Sequence, residues 1–327
     1  MKEKKNFIMR PPTLSIVIVT YNTKSLLPKV LSSIKAASDK LTTQTIIIDN
    51  ASTDGSVDYL RASHPELHII ENNINVGFGR ANNQSLPFFE GEYLLLLNPD
   101  AFISPDTLEK TTAYMEVNPQ CGILGVKLVG ESGELQPSCR YIPTPWNIFL
   151  HRSGISKYVK NVRMVDDLYW DHASPRICDW VPGCFYLVRR EVVEQIGLFD
   201  PRYFLYFEEV DHCLAAKKAG WEVHYCPYTT VTHIGGESAK TEGELTESGK
   251  QLEKYQVESE LLFFRKNYGV ISVIGDAILN ITADLINIFK GLLRPGRLQQ
   301  PISASFIHSK LVLGLFFRTR YGSKTLH

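Results

Sequence analysis

The sequence predicts an α/β fold, a Rossmann-like, mostly parallel central sheet flanked by helices, with a helical extension at the C-terminal end. Two short apolar runs point to it first. Ile46-Ile47-Ile48 and Leu94-Leu95-Leu96-Leu97 show no polar alternation, the pattern of strands buried on both faces of a parallel sheet. Each run leads into a carboxylate, Asp49 in Asp49-Asn50-Ala51-Ser52-Thr53-Asp54 and Asp100 in Asn98-Pro99-Asp100. The third observation is the rhythm from Leu14 to Val129, where strand-like and helix-like stretches alternate as in βαβ units with right-handed crossovers.

Strands are expected at 14–20, 44–49, 67–71, 92–97 and 121–129, and helices near 25–37, 56–62, 79–88 and 105–117. Ser104-Pro105 is expected to open the last helix, with proline in the first turn and Asp106 complementing the dipole. From 130 to 182 regular pattern is scarce, while prolines and aromatics (Tyr141, Trp146, Tyr169, Trp170, Trp180) are frequent. Such an insertion either shapes a binding site or packs on its own aromatics at the surface. Pattern returns with a strand at 184–188, a helix from 208 to 220 and strands at 222–226 and 229–233. A Gly/Glu/Ser/Thr-rich loop at 235–249 and a helix at 250–267 complete the expected body.

With 327 residues, 44% apolar and 21% charged, the chain has room for one large domain and an appendage. Its zero net charge conceals an asymmetry. From Leu261 onward nine Lys or Arg face only Asp276 and Asp284, a net +7, which leaves −7 on residues 1–260. A basic, apolar tail on an acidic body points to an anionic membrane surface, not nucleic acid, as partner of residues 270–327. Within that tail Asp276, Asn280, Asp284 and Asn287 form one polar stripe of a helix. Carrying the aspartates across hydrocarbon would cost about 2.5 to 3.5 kcal/mol each near its centre, so lying in the interface is the favoured expectation. Packing as a helical subdomain on the catalytic core is the alternative. No hydrophobic signal core follows Met1-Lys2-Glu3-Lys4-Lys5, and the six cysteines contain no C-x-x-C pair. The expected setting is therefore cytoplasmic, peripheral on the inner face of the cell membrane. The expected organisation is a tail at 1–12, a main domain at 13–249 in two halves (13–129 and 130–249) and a membrane-associating helical region at 250–327.

Ligands of open α/β sheets sit beyond the carboxyl ends of the strands, which brings Asp49 and Asp100 to one edge. No G-x-G-x-x-G and no Walker lysine follows Thr20-Tyr21-Asn22, which argues against dinucleotide binding and nucleotidyl transfer. Asp49 can accept a hydrogen bond from a base imide, or simply close an Asx turn. Glu208-Glu209-Val210-Asp211 places three acids in one helical turn behind the aromatic run 203–207. They supply a general base in a dry site, or merely complement the helix dipole. Arg80 offers a fork suited to a diphosphate, or to a structural ion pair.

Ser15-Ile16-Val17-Ile18-Val19-Thr20-Tyr21-Asn22 and Ile48-Asp49-Asn50-Ala51-Ser52-Thr53-Asp54-Gly55-Ser56 resemble the opening of family-2 inverting glycosyltransferases with the GT-A fold. Asn75-Val76-Gly77-Phe78-Gly79-Arg80-Ala81-Asn82-Asn83, Leu97-Asn98-Pro99-Asp100 and Trp180-Val181-Pro182-Gly183-Cys184 are similar to the branch containing bacterial rhamnosyltransferases. So is Gly197-Leu198-Phe199-Asp200 leading to Phe207-Glu208-Glu209-Val210-Asp211, and the likeness runs from about 14 to 268.

The resemblance implies a metal-dependent inverting transferase. Its donor would be dTDP-L-rhamnose or another dTDP- or UDP-sugar, and its acceptor a polyprenyl-diphosphate-linked saccharide of cell-surface polysaccharide biosynthesis. Asp100 stands where the family keeps the last acid of its Asp-x-Asp motif, which implies a ligand of Mg²⁺ or Mn²⁺. His233 resembles the histidine some relatives add to that shell. Glu209 maps to the base, where relatives commonly have Asp, with Glu208 beside it and Asp211 orienting the helix or binding acceptor. Donor contacts are expected from Thr20, Tyr21, Asn22, Asp49, Ser52, Asp54, Asn75, Arg80, Asn98 and Asp100. A homodimer is an allowed assembly. A catalytically silent sugar-nucleotide binder or scaffold would need Asp49 and Asp100 but not the acids at 208–211.

Overall fold

The computed structural model describes residues 13–159, 162–167, 170–235, 245–293 and 302–327. The expected tail at 1–12, most of the expected loop at 235–249, Tyr169, and Arg294 and Arg297 of the basic tail lie outside the described residues.

The apolar runs form strands buried from both sides. β1 (Leu14–Thr20), β2 (Thr43–Asp49), β3 (His68–Glu71) and β4 (Tyr93–Leu97) are parallel neighbours in the order β3-β2-β1-β4. Side chains alternate across them. Ile16 and Ile18 join the core under α1 (Leu27–Ala37) and α2 (Ser56–Ser63), whereas Val17, Ile46 and Leu96 face the opposite layer. Fully burying each such aliphatic side chain is worth about 1.5–3 kcal/mol, so a charged residue at Leu95 or Ile47 would break the sheet.

α3 (Phe78–Asn83) covers the region expected at 79–88, continued only by a short 3₁₀ turn at Leu86–Phe88. The chain then makes a strand that its sequence conceals, β5 (Ala101–Ile103), directly after Asp100. α4 spans Thr107–Val117, so the expected opening at Pro105 is corrected. Pro105 and Asp106 precede the helix because the Thr107 hydroxyl accepts the Ser104 N–H at 3.0 Å and fixes a turn ahead of it.

The sheet continues through β6 (Cys121–Val129), with β7 (Leu135–Gln136) hairpinned onto it. The insertion is more regular than expected, holding α5 (Pro145–Arg152), with a Thr144–Asn147 capping box, and β8 (Arg176–Cys178). Part of it does pack on its own aromatics: Arg176 lies over the Trp170 ring at 3.7 Å and Trp146 stacks on Phe149 at 5.3 Å. β9 (Phe185–Arg189) runs antiparallel between β4 and β6, and α6 (Arg190–Ile196) follows.

α7 (Glu208–Lys218) leads to β10 (Glu222–His233). The two strands expected at 222–226 and 229–233 are this single strand, with a shift of register between Cys226 and Thr230. β10 lies parallel to β6 and antiparallel to β5, so Ala101 pairs with His233. α8 (Leu245–Leu293) runs far beyond the helix expected at 250–267 and breaks at Gly269, whose φ of 83° suits glycine. α9 (Ile302–Arg318) packs back onto it.

Candidate functional site

The topology brings six chain segments to one edge. The carboxyl ends of β1, β2, β4, β6 and β10 and the amino end of β9 all open there, which places Thr20, Asp49, Asn98–Asp100, Cys184 and His233 side by side.

Of the two readings of Asp49, the structure shows the Asx turn and leaves one carboxylate oxygen outside it. Its Oδ2 accepts the Ser52 N–H at 2.9 Å, closing the Asx turn. Its Oδ1 is shielded from solvent and has no hydrogen-bond partner. Around it, Asn22 and Ser52 tie two loops together: Asn22 N–H donates to Ser52 Oγ at 2.9 Å, and Thr53 N–H donates to Asn22 Oδ1 at 2.7 Å. Asn22 holds φ 52°, a left-handed conformation that asparagine tolerates. Asp54 accepts the Lys24 and Ser56 N–H groups, and Asn75 Oδ1 accepts from Asn50 and the Gly77 N–H. These four side chains frame the edge, and Thr20 is buried against the Thr23 hydroxyl at 2.7 Å. Tyr21 is half-buried beside it.

Asp100 is held by backbone on both sides. Asn98 N–H donates to Cys184 O and Ile234 N–H to Asp100 O, while Pro99 donates nothing. Asp100 Oδ1 is buried without a hydrogen-bond partner and sits 3.6 Å from His233 Nε2. Gln136 fixes the ring. Its amide donates to His233 O at 2.9 Å, so its Oε1 accepts from Nδ1–H at 2.9 Å and leaves Nε2 as the unprotonated nitrogen. Burial holds His233 below its ordinary pKa, aided by the charge of Arg140 and opposed by Asp100. Two electron-rich atoms thus face each other across a short gap, a donor set that fits a divalent cation. Among the described residues no group of three or more His, Cys, Asp or Glu could hold a metal alone, so a cation here takes further ligands from what it binds.

The acids of α7 enter from below. Tyr206 and Phe207, at φ 69° and 67°, hold consecutive left-handed conformations just before Glu208, strain of about 1–3 kcal/mol each that clusters at functional sites. The loop is clamped from the other side: Phe78 N–H donates to Phe204 O at 2.8 Å, and a Cβ on Gly77 would meet that oxygen at 2.4 Å. The Oε2 atoms of Glu208 and Glu209 are shielded and without hydrogen-bond partners. Burial pushes Glu208 well above the carboxylate range, and the neighbouring Glu209 adds to it. Burial also raises Glu209, but Arg140 opposes that rise. Burial thus works against ionisation of both acids, and Arg140 restrains it at Glu209. Asp211 is committed elsewhere, accepting Lys266 Nζ at 2.5 Å and Asn267 Nδ2 at 2.8 Å from α8.

Arg80 does not join this group. Its Nε donates to Pro201 O at 2.7 Å and its Nη2 to His327 O at 3.1 Å, so it clasps two segments through backbone oxygens. Arg140, missed in the sequence, brings a cation to this edge. It stacks over Trp180 at 4.9 Å with Asp166 Oδ1 2.9 Å from its Nε, within electrostatic reach of Glu209 and His233. Gln136 was missed too. The only signal for either is position: Leu135-Gln136-Pro137-Ser138-Cys139-Arg140 follows a strand that ends at the ligand edge.

Comparison with known proteins follows from this geometry. The family model described as glycosyl transferase family 2 matches residues 15–165. N-acetylglucosaminyl-diphospho-decaprenol L-rhamnosyltransferase of Mycobacterium tuberculosis is 27% identical over 240 residues, 67% of this chain and 75% of that protein. Rhamnosyltransferase WbbL of Escherichia coli K12 is 26% identical over 227 residues, 67% of this chain and 82% of that protein. Among solved structures, mannosyltransferase PcManGT from Pyrobaculum calidifontis, in complex with GDP-Man and Mn²⁺, superposes with a TM-score of 0.54 at 14% identity, covering 96% of this chain and 88% of that one. Staphylococcus aureus TarS 1–349 gives 0.51 at 14% identity over 95% and 92%. The architecture is the GT-A fold that these structures share.

Proposed function

We propose that this chain, a glycosyltransferase matched over residues 15–165 by the family 2 model and similar to rhamnosyltransferases, is an inverting, metal-dependent enzyme that transfers L-rhamnose from dTDP-L-rhamnose to a polyprenyl-diphosphate-linked saccharide. The observation that carries this reading is the set of four carboxylates, Asp49, Asp100, Glu208 and Glu209, each with a shielded oxygen lacking a hydrogen-bond partner around one edge. A buried polar group left without a partner costs about 1–3 kcal/mol, and a ligand that supplies one offsets it.

Asp49 Oδ1 accepts the imide N–H of a pyrimidine base while Oδ2 stays fixed by Ser52. Asp100 and His233 are the residues that would hold a divalent cation, with the donor's diphosphate completing its ligands. Such a cation, when bound, neutralises the charge that builds on the departing diphosphate. Arg140 adds a second positive charge near the same oxygens. Glu209 takes the proton of the acceptor hydroxyl as its oxygen attacks the anomeric carbon. The new C–O bond forms as the bond to the diphosphate breaks, and the electron pair leaves with the nucleoside diphosphate. Burial favours the neutral form of Glu208 more strongly than that of Glu209, whose ionised form Arg140 supports.

A lipid-linked acceptor puts the enzyme on the cytoplasmic face of the membrane as a peripheral protein. Transfer from dTDP-L-rhamnose to a synthetic polyprenyl-diphosphate saccharide tests the assignment. Asp100→Ala and Glu209→Gln are each expected to abolish it, and near-normal turnover in either overturns that residue's role.

A further inference from the structure

The polar stripe of the C-terminal region faces the protein body. Asp276, Asn280 and Asp284 are turned into the protein and all but fully buried. Asp284 accepts Arg152 of α5 at 3.0 Å, and His308 and Ser309 of α9 at 2.8 Å each, and Asn287 donates to Arg152 O. Asn280 bridges Asp276 to Glu260, in the half of α8 before Gly269. The opposite face is apolar and open. Ile271, Ile278, Leu285, Phe289 and Leu292 recur at helical spacing, with Ile271 82% and Leu292 68% exposed. On α9, which packs on α8, Phe306, Ile307, Leu313 and Phe317 are open as well, Phe317 at 63%. Monomeric soluble proteins rarely leave contiguous apolar surface of this kind uncovered.

We propose that this face is a monotopic docking surface for an anionic lipid bilayer, on which the two helices lie without crossing it. Charge selects the occupant. No Asp or Glu occurs after Asp284, whereas Lys310, Arg318, Arg320 and Lys324 are exposed on α9 and the segment after it. A second copy would bring the same positive charges against them, while anionic headgroups complement them. Crossing is opposed by construction. Glu253–Leu293 is long and apolar enough to span by length and composition, but it breaks at Gly269, and Asp276 and Asp284 are tied to Glu260, Arg152 and His308. Moving either aspartate into hydrocarbon would strip those partners.

The dock also joins the catalytic edge. Just before Gly269, Lys266 and Asn267 grip Asp211 of the acid-bearing helix, and Ser259 Oγ donates to Leu205 O in the loop that leads to Glu208. Lipid contact is thereby linked to the segment that carries Glu209. This last step rests on the acceptor reading above, whereas bilayer docking does not.

Flotation of the purified full chain with vesicles tests the dock without using activity. The chain should float with phosphatidylcholine vesicles containing phosphatidylglycerol, several-fold less with phosphatidylcholine alone, and less in high salt. Ile278→Glu/Leu285→Glu/Phe289→Glu, all at exposed positions, should reduce flotation at least roughly tenfold with an unchanged melting curve. An environment-sensitive fluorophore on Leu285→Cys, which needs only one exposed change, should brighten on adding the anionic vesicles. Absence of flotation by the wild-type chain, or no fluorophore response, overturns the proposal. So does a lipid-free dimer that the triple variant dissociates, which would assign the face to a second copy. Glu209→Gln should float like wild type, so failure of the dock and failure of the transferase reading are separable.

Discussion

Buried acids occur in two regions of this molecule and are treated oppositely. At the sheet edge Asp49, Asp100, Glu208 and Glu209 each keep an oxygen shielded from water and without a hydrogen bond. In the C-terminal helices the acids are as deeply placed but supplied with partners: Asp284 has Arg152, His308 and Ser309, and Asp276 and Glu260 share Asn280. The first arrangement costs stability until something binds, and the second anchors one element to another. Burial of charge alone therefore says little about role; the partner of each oxygen decides it.

The comparison can be broken most directly by removing one acid of each kind. Glu209→Gln should lower turnover about 10³-fold or more, with nucleotide binding unchanged, by a direct transfer assay and a binding titration. Because burial raises Glu209, the rising limb of the pH–rate profile should lie above the ordinary glutamate range. Next, Asp284→Ala should cost about 3–5 kcal/mol by denaturant unfolding, since it leaves Arg152 and His308 without their acid. Burial opposes ionisation of Asp284, but the His308 and Ser309 bonds outweigh it and its pKa is depressed. Its contribution is therefore present above the unfolded-state pKa and lost as pH falls through the folded one, so variant and wild type should converge in acid.

Smaller effects sharpen the contrast. Arg140→Ala should weaken donor binding about tenfold and push the rising limb to still higher pH, because Arg140 opposes the rise of Glu209. Glu208→Gln should raise stability at neutral pH by on the order of 1 kcal/mol, the opposite sign to Asp284→Ala. The sign follows from its raised pKa: the penalty of burying Glu208 is absent below the unfolded-state pKa and grows as pH rises toward the folded one. Arg80→Ala, at the end of the scale, should change turnover little and stability by less than about 1 kcal/mol.

The legible parts of the chain were those governed by local pattern. Ile46–Ile48 and Leu94–Leu97 announce buried strands because an apolar run has few other homes, and the acids behind them follow from where such strands end. Ala101–Ile103 is too short to show a period, and only pairing with β10 makes it a strand. Gln136 and Arg140 lie in a segment without periodicity, and their roles come from His233, Glu209 and Trp180, distant in sequence. The stripe at Asp276, Asn280, Asp284 and Asn287 was visible, but amphipathicity defines two faces without saying which is inside. Arg152, more than a hundred residues away, settles that.

The most direct test is thermal shift of the wild-type chain and Asp100→Asn with dTDP, UDP, GDP, CDP, NAD and ATP, with and without Mn²⁺. At a hundred times its Kd a ligand adds about 2.7 kcal/mol of stability. A metal-dependent shift with dTDP or UDP alone, lost in Asp100→Asn, is the predicted result. No shift with any of these ligands, or an equal metal-dependent shift in Asp100→Asn, would contradict the assignment of the edge carboxylates to a sugar nucleotide and its cation.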